Sequence, residues 1–233
     1  NSYTSSFQST AAIGAGGDGS FVVAWDSMGS GEGDNSETSV HAQRFSAAGV
    51  AQGSEFQVNA YSTNYQWLPA VAVDGEGDFV VVWQSMGASS GDTAGYSLHA
   101  QRYSAAGTAL GDPFQVNSYT TSDQTASAVA VDADGDFVVV WKSTGSSFGD
   151  NSLGSIQGQR FRVTGDLQGT VWVDQDLDGI QDGPEPGLAG VTVELYDDTL
   201  SLRRTTATDV DGNYFLKPKE GSWHLRFLLP SAS

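Results

Sequence analysis

The chain has 233 residues, enough for one large β domain or a medium and a small one, each with its own core. Apolar residues make up 39% of it, which argues against disorder despite 29 glycines. Acidic residues number 28 against 10 basic, a formal charge of -18 that disfavours nucleic acid and anionic membranes and suits a divalent cation.

There is no cysteine, so neither a disulfide framework nor thiolate chemistry is available. No apolar run is long enough for a membrane-spanning helix, and membrane insertion is not expected. No signal peptide opens the sequence, so an export signal is expected to lie outside it.

The first feature along the chain is a repeat. Asn1-Ser2-Tyr3-Thr4, Asn59-Ala60-Tyr61-Ser62 and Asn117-Ser118-Tyr119-Thr120 open three units at a spacing of 58 residues. Gln8, Gln66 and Gln124 keep that spacing, as do Trp25, Trp83 and Trp141. So do Gly33-Asp34, Gly91-Asp92 and Gly149-Asp150, then Gln43-Arg44, Gln101-Arg102 and Gln159-Arg160. No insertion or deletion is needed, and residues 1–58, 59–116 and 117–165 are tandem duplicates.

Each unit reads as four strands. In the second, Ala70-Val71-Ala72-Val73 meets a turn at Asp74-Gly75-Glu76-Gly77-Asp78, and Phe79-Val80-Val81-Val82-Trp83 returns as a hairpin. The returning strand is apolar throughout, which predicts burial of both its faces. Leu98 to Tyr103 alternates and is expected to be more exposed, and Phe114-Gln115-Val116 closes the unit.

Four short antiparallel strands around a doubly buried one describe a propeller blade; a sandwich or a solenoid of the same hairpins is the alternative. The units, with DGDFVVVW at Asp134–Trp141 and AQRY at Ala100–Tyr103, resemble repeats found in tandem in large bacterial surface proteins. That resemblance covers about residues 1–165 and implies location more than activity. The third unit is short of a strand, because its fourth would fall on Trp172-Val173-Asp174, in the next domain. It therefore borrows that strand or leaves an edge open to strand addition by another copy of the chain or by an adjacent repeat.

A different pattern begins at Gly169. With Asp174 as loop position 1, carboxylates fall at 3 (Asp176), 5 (Asp178), 9 (Asp182) and 12 (Glu185), with Gly179 at 6. Side chains at 1, 3 and 5 wrap one hard cation, glycine permits the sharp turn, and Ile180 at 7 offers its backbone carbonyl. Asp182 acts directly or through water, and Glu185 closes the shell. The predicted ligand is Ca2+.

The flanks are not helices. Pro184 and Pro186 stand where an exiting helix would start, and strands are expected at Thr170–Val173, Leu188–Tyr196, Thr205–Thr208, Tyr214–Leu216 and Trp223–Phe227. Asp209-Val210-Asp211-Gly212-Asn213 reads as a hairpin turn between the third and fourth of these.

The segments WVDQDLDGIQDGPEPGLAGVTVELYD and TDVDGNYFL resemble the Sdr-type B repeat of bacterial adhesin stalks. The resemblance implies a small transthyretin-like β-sandwich over 169–233, lacking the family's later strands, whose calcium site maps onto Asp174, Asp176, Asp178, Asp182 and Glu185. It also implies a calcium-rigidified spacer rather than a ligand-binding head.

Asp74/Glu76/Asp78 and Asp132/Asp134/Asp136 have metal-like spacing, but the first unit has Gly16, Asp18 and Ser20 there, so hairpin turns are the better reading. His41 and His99 recur, but Gln157 replaces them in the third unit, and no nucleophile or metal shell pairs with them. Trp25, Trp83 and Trp141 read as core, and Trp67 as an exposed contact.

The expectation is an all-β, non-enzymatic, calcium-stabilised structural module of a bacterial surface protein, extracellular or at the cell surface. It would serve as a stalk, an adhesin segment or a filament subunit. A carbohydrate-binding propeller, with glycan pockets near Asp34, Asp92 and Asp150, is the rival reading.

Overall fold

The computed structural model describes residues 6–29, 37–87, 95–145, 154–163, 167–183, 185–219 and 222–230. Every regular element among them is a strand, and the chain separates into two compact units, Asn1–Arg162 and Val163–Ser233.

In the first unit, β1 (Gln8–Ala15), β2 (Phe21–Met28), β3 (Thr38–Phe45) and β4 (Ala51–Gln57) form an antiparallel sheet in chain order. The second repeat copies it as β5 (Gln66–Val73), β6 (Phe79–Met86), β7 (Tyr96–Tyr103) and β8 (Ala109–Gln115). The third gives β9 (Gln124–Val131), β10 (Phe137–Ser143) and β11 (Ser155–Phe161), with β10 in the middle. These sheets form neither a closed barrel nor a closed propeller among the described residues.

The acidic hairpin turns are built as turns. Asp74 Oδ1 accepts from the N–H groups of Glu76 (2.8 Å) and Asp78 (3.1 Å), and Gly77 takes φ 88°. Asp132 does the same for Asp134 and Asp136, both at 3.0 Å. Each carboxylate thus satisfies backbone donors that a two-stranded turn leaves over.

The core of the first unit lies between sheets. Val22, Ala24, Val40, Ala42 and Val58 of the first repeat meet Val71, Phe79, Val81, Trp83 and Tyr103 of the second. Equivalent ring contacts mark both junctions: Phe56 lies 5.2 Å from Tyr103, and Phe114 lies 5.3 Å from Phe161. Covered on both sides, β6 is buried from Phe79 through Ser85, as its unbroken apolar run predicts.

The expected exposure of Leu98–Tyr103 is wrong. All of these residues except Arg102 are buried, because neighbouring sheets cover both faces of β7 and its polar side chains are held inside by hydrogen bonds. His99 stacks on Trp83 at 6.0 Å and shares a 3.1 Å hydrogen bond with Ser97, and Gln101 Nε2 donates to the carbonyls of Arg102 and Gly111. Alternation here separates two buried faces rather than a wet and a dry one.

Polar signature residues tie the repeats together. Asn59 Oδ1 accepts from Val40 N–H at 2.7 Å while its Nδ2 donates to Tyr61 O at 2.8 Å. Asn117 makes the same pair with Leu98 N–H and Tyr119 O. The asparagine that opens one repeat therefore caps the third strand of the sheet before it, supplying a partner for a buried N–H.

Among the described residues, β11 of the third repeat is hydrogen-bonded to β10 on one side and to no strand on the other. The stretch in register with β4 and β8, which is β12 (Leu167–Thr170), pairs with β15 (Asn213–Leu216) inside the second unit. There β13 (Thr192–Tyr196) lies between β14 (Leu202–Ala207) and β16 (His224–Leu228) in a separate sheet. Val193 and Leu195 from that sheet share a core with Leu216, joined by Leu167, Tyr214 and Leu225, so the two sheets face each other.

Two expectations are corrected here. The expected first strand ends at Thr170, and Trp172 contributes only a bridge to Gly187. The turn at Asp209–Asn213 is tight, with Gly212 N–H donating to Asp209 O at 3.1 Å, yet it does not make a hairpin. Its two strands, β14 and β15, enter different sheets, so it is the corner of the sandwich.

Leu98 is fully buried between sheets, and truncating it removes methyl and methylene groups from a packed interface. Leu98→Ala should lower the unfolding free energy by about 2–5 kcal/mol, read from urea denaturation of the full chain.

Candidate metal centre

The acidic loop hangs between the Trp172–Gly187 bridge and its own turns. Val173 N–H donates to Pro186 O (3.0 Å) and Leu188 N–H to Val171 O (2.8 Å), so both ends of the loop are held side by side. This neck leaves no room for a side chain. A Cβ on Gly187 would land on the Asp211 carbonyl, and one on Gly212 on the Val171 carbonyl. Three chain segments cross here at backbone contact, which explains glycine at both positions.

Within the loop the carboxylates are organised by backbone donors. Asp174 accepts from Leu177 N–H at 2.6 Å and from Gly179 N–H at 3.0 Å, Asp176 from Asp178 N–H at 3.3 Å, and Asp178 from Ile180 N–H at 2.7 Å. Leu177 and Gly179 adopt positive φ, 64° and 79°, which reverses the chain twice within the acidic run. Glu185 is buried, with Oε1 accepting from Gln175 N–H at 2.6 Å and Oε2 from Asp182 N–H at 3.4 Å. The last carboxylate of the pattern thereby closes back on the first turn.

The result is two overlapping groups of oxygens. One atom each from Asp174, Asp176 and Glu185 lie within 4.8 Å of one another, as do atoms from Asp176, Asp178 and Asp182. The structure therefore gathers all five predicted carboxylates around Asp176. Ile180 lies exposed in the same loop. Like charges at such separations repel by roughly 1 kcal/mol per pair in bulk water and several times that at a protein surface. The donor set is all hard oxygen, the chemistry that suits calcium or magnesium rather than a soft metal.

Other predicted residues take structural places. His41 stacks on Trp25 at 6.2 Å and is hydrogen-bonded to Ser39, and Trp25, Trp83 and Trp141 are buried, as expected of core. Trp67 is not freely exposed: it is half-buried between Tyr65 (6.1 Å) and Tyr96 (5.6 Å). Asp34, Asp92 and Asp150, on which the glycan reading rests, lie outside the described residues. Sequence reasoning missed the clamping role of Asn59 and Asn117; their recurrence was visible, but their buried N–H partners were not.

Fold and loop together define a small two-sheet β module with an oxygen-rich loop, preceded in the chain by three repeated β sheets. Residues 165–233 match the family model of the SdrD B-like domain. Serine-aspartate repeat-containing protein D of Staphylococcus aureus (strain Newman) is 30% identical over 119 residues, covering 51% of this chain and 9% of that protein. Serine-aspartate repeat-containing protein F of Staphylococcus epidermidis is 42% identical over 72 residues, covering 30% and 4%. The chain thus spans less than a tenth of the length of these relatives. These matches support the expected extracellular or cell-surface location. Among solved structures, an endo-arabinase from Bacteroides thetaiotaomicron VPI-5482 aligns over 70% of this chain and 58% of its own, with 10% identity and a TM-score of 0.44, too low to bear on fold or activity.

Gly187→Ala should force the neck of the loop apart and cost on the order of 3 kcal/mol or more in the second unit. The check is the loss of protection of Val173 and Leu188 amides in hydrogen exchange.

Proposed function

We propose that this chain is an extracellular, calcium-stabilised structural module of a bacterial surface protein, acting as a stalk, an adhesin segment or a filament subunit rather than as a catalyst. The observation that carries the reading is the convergence of Asp174, Asp176, Asp178, Asp182 and Glu185 in one loop whose backbone N–H groups already orient the carboxylates. Those five side chains, with the Ile180 carbonyl, would hold Ca2+. The ion would supply no reaction chemistry; it would neutralise the cluster and fix the loop on the neck at Gly187.

The finer architecture belongs to this reading. The second unit is taken as a transthyretin-like sandwich, and the three meander sheets as blade-like units of one row. The outer edge of β11, which pairs with no strand among the described residues, supports joining by strand addition to another copy or an adjacent repeat.

A ligand that binds only the folded loop stabilises by mass action, about 2.7 kcal/mol at a hundredfold excess over its Kd. Asp176→Ala should lower the Tm of the second unit in millimolar calcium and leave it nearly unchanged in chelator. Equal losses in both conditions would sink the metal reading, as would a wild-type Tm indifferent to chelator.

A further inference from the structure

Among its described residues, the first unit uses one interface twice and leaves each half of it uncovered once. Inside the row, the face of one sheet carrying Val22, Ala24 and Val40 meets the opposite face of the next, carrying Val71, Val81 and Trp83. The second repeat presents the first kind of face to the third through Val80, Val82 and Leu98, which are 3%, 0% and 0% exposed. In the third repeat the same positions are Val138, Val140 and Ile156, at 41%, 41% and 76%. The register confirms that they share a face: Val140 pairs with Gly158 and Lys142 with Ile156, as Val82 pairs with Ala100 and Gln84 with Leu98.

The other half is open at the far end of the row. Ile13, in register with Val71, is 66% exposed where Val71 is 8%. Beside it lies a concavity of about 430 Å³ lined by Thr10, Val23, Trp25, Gln43 and Phe45. Their equivalents in the second repeat are Leu68, Val81, Trp83, Gln101 and Tyr103, and that surface is filled by the first sheet. There Asp26 Oδ1 accepts from Leu68 N–H at 3.4 Å, and Tyr103 Oη donates to Val58 O at 3.3 Å.

We propose that these two apolar faces bind each other between molecules, so that the third sheet of one copy packs on the first sheet of a second copy. A second copy fits because the chain builds the same junction twice from the same registers, and the two uncovered faces are its two halves. Exposed apolar positions grouped on one face mark association surfaces. The halves differ, so the association is heterologous. Two copies closing on each other would bring together six sheets, within the four to eight typical of closed propellers; without closure the row extends. One position departs from the pattern, because Lys142 offers a donor where Asp26 offers an acceptor.

The proposal does not rest on the calcium reading, and both faces are built from residues of the first unit, so the test is run in chelator and in calcium alike. Light scattering on a sizing column should show the molar mass rising with concentration from the 24.4 kDa monomer to a dimer or beyond. Val140→Glu spoils one face and Ile13→Glu the other, each at a position exposed in a single copy, with thermal melts to verify folding. Each variant alone should weaken association at least tenfold. An equimolar mixture should recover a pair, since one variant keeps the first face and the other keeps its mate. A wild type that stays monomeric at every concentration overturns the proposal and leaves the faces to a repeat outside this sequence. Assembly untouched by both substitutions overturns it in favour of strand addition at β11, and a mixture that fails to pair overturns heterologous stacking.

Discussion

The middle strand of each repeat is apolar on both sides, and the rest of the first unit follows from that. A strand with one wet face can sit at the surface of a simple sandwich. A strand such as Phe79 to Trp83 must be covered front and back, so its sheet needs a neighbour on each side. Sheets of this kind are stable only in a row. The core consequently lies between repeats rather than within one, as the shared cluster from Val22 to Tyr103 shows. Each repeat is the wall of its neighbour's interior, a nearest-neighbour arrangement familiar from repeat proteins.

The second unit answers a different constraint. It is small, its shared apolar core is built around Val193, Leu195 and Leu216, and a long acidic loop opens from its neck. Burial alone does not order such a loop, because like charges are brought together as it closes. The backbone carries part of that load: N–H groups from Gln175 to Asp182 point at the carboxylates and hold them before any cation arrives. Preorganised this way, the loop loses less conformational freedom on binding an ion than an unstructured acidic tract would.

Much of this was legible in the residues. The 58-residue period, the hairpin turns at Asp74 and Asp132 and the burial of Trp83 all follow from local chemistry that the chain repeats three times. The acidic pattern from Asp174 to Glu185 was equally plain, because its spacing is local and its geometry is set by a few turns. What was not legible is long-range. The alternation of Leu98 to Tyr103 is the same whether one face or neither meets water, and only the neighbouring sheets decide which. The strands flanking Asp209–Asn213 look like a hairpin pair, yet the partners that claim them lie elsewhere, β13 for one and β12 for the other. Polar residues were the hardest to read, since the recurrence of Asn59 and Gln66 marks the period but not that both side chains are buried.

The asparagine clamp means that the unit of sequence and the unit of structure are out of phase. A sequence repeat begins at Asn59, but the sheet of the preceding repeat is finished only when Asn59 has capped Val40 and bonded back to Tyr61. The first two sheets are thus completed by residues that the 58-residue period assigns to their successors. For anyone shortening, lengthening or transplanting this row, the natural cut lies just after Tyr61 or Tyr119 rather than just before Asn59 or Asn117. A segment trimmed at the obvious boundary would carry a raw N–H at its core and leave its lock on the piece thrown away.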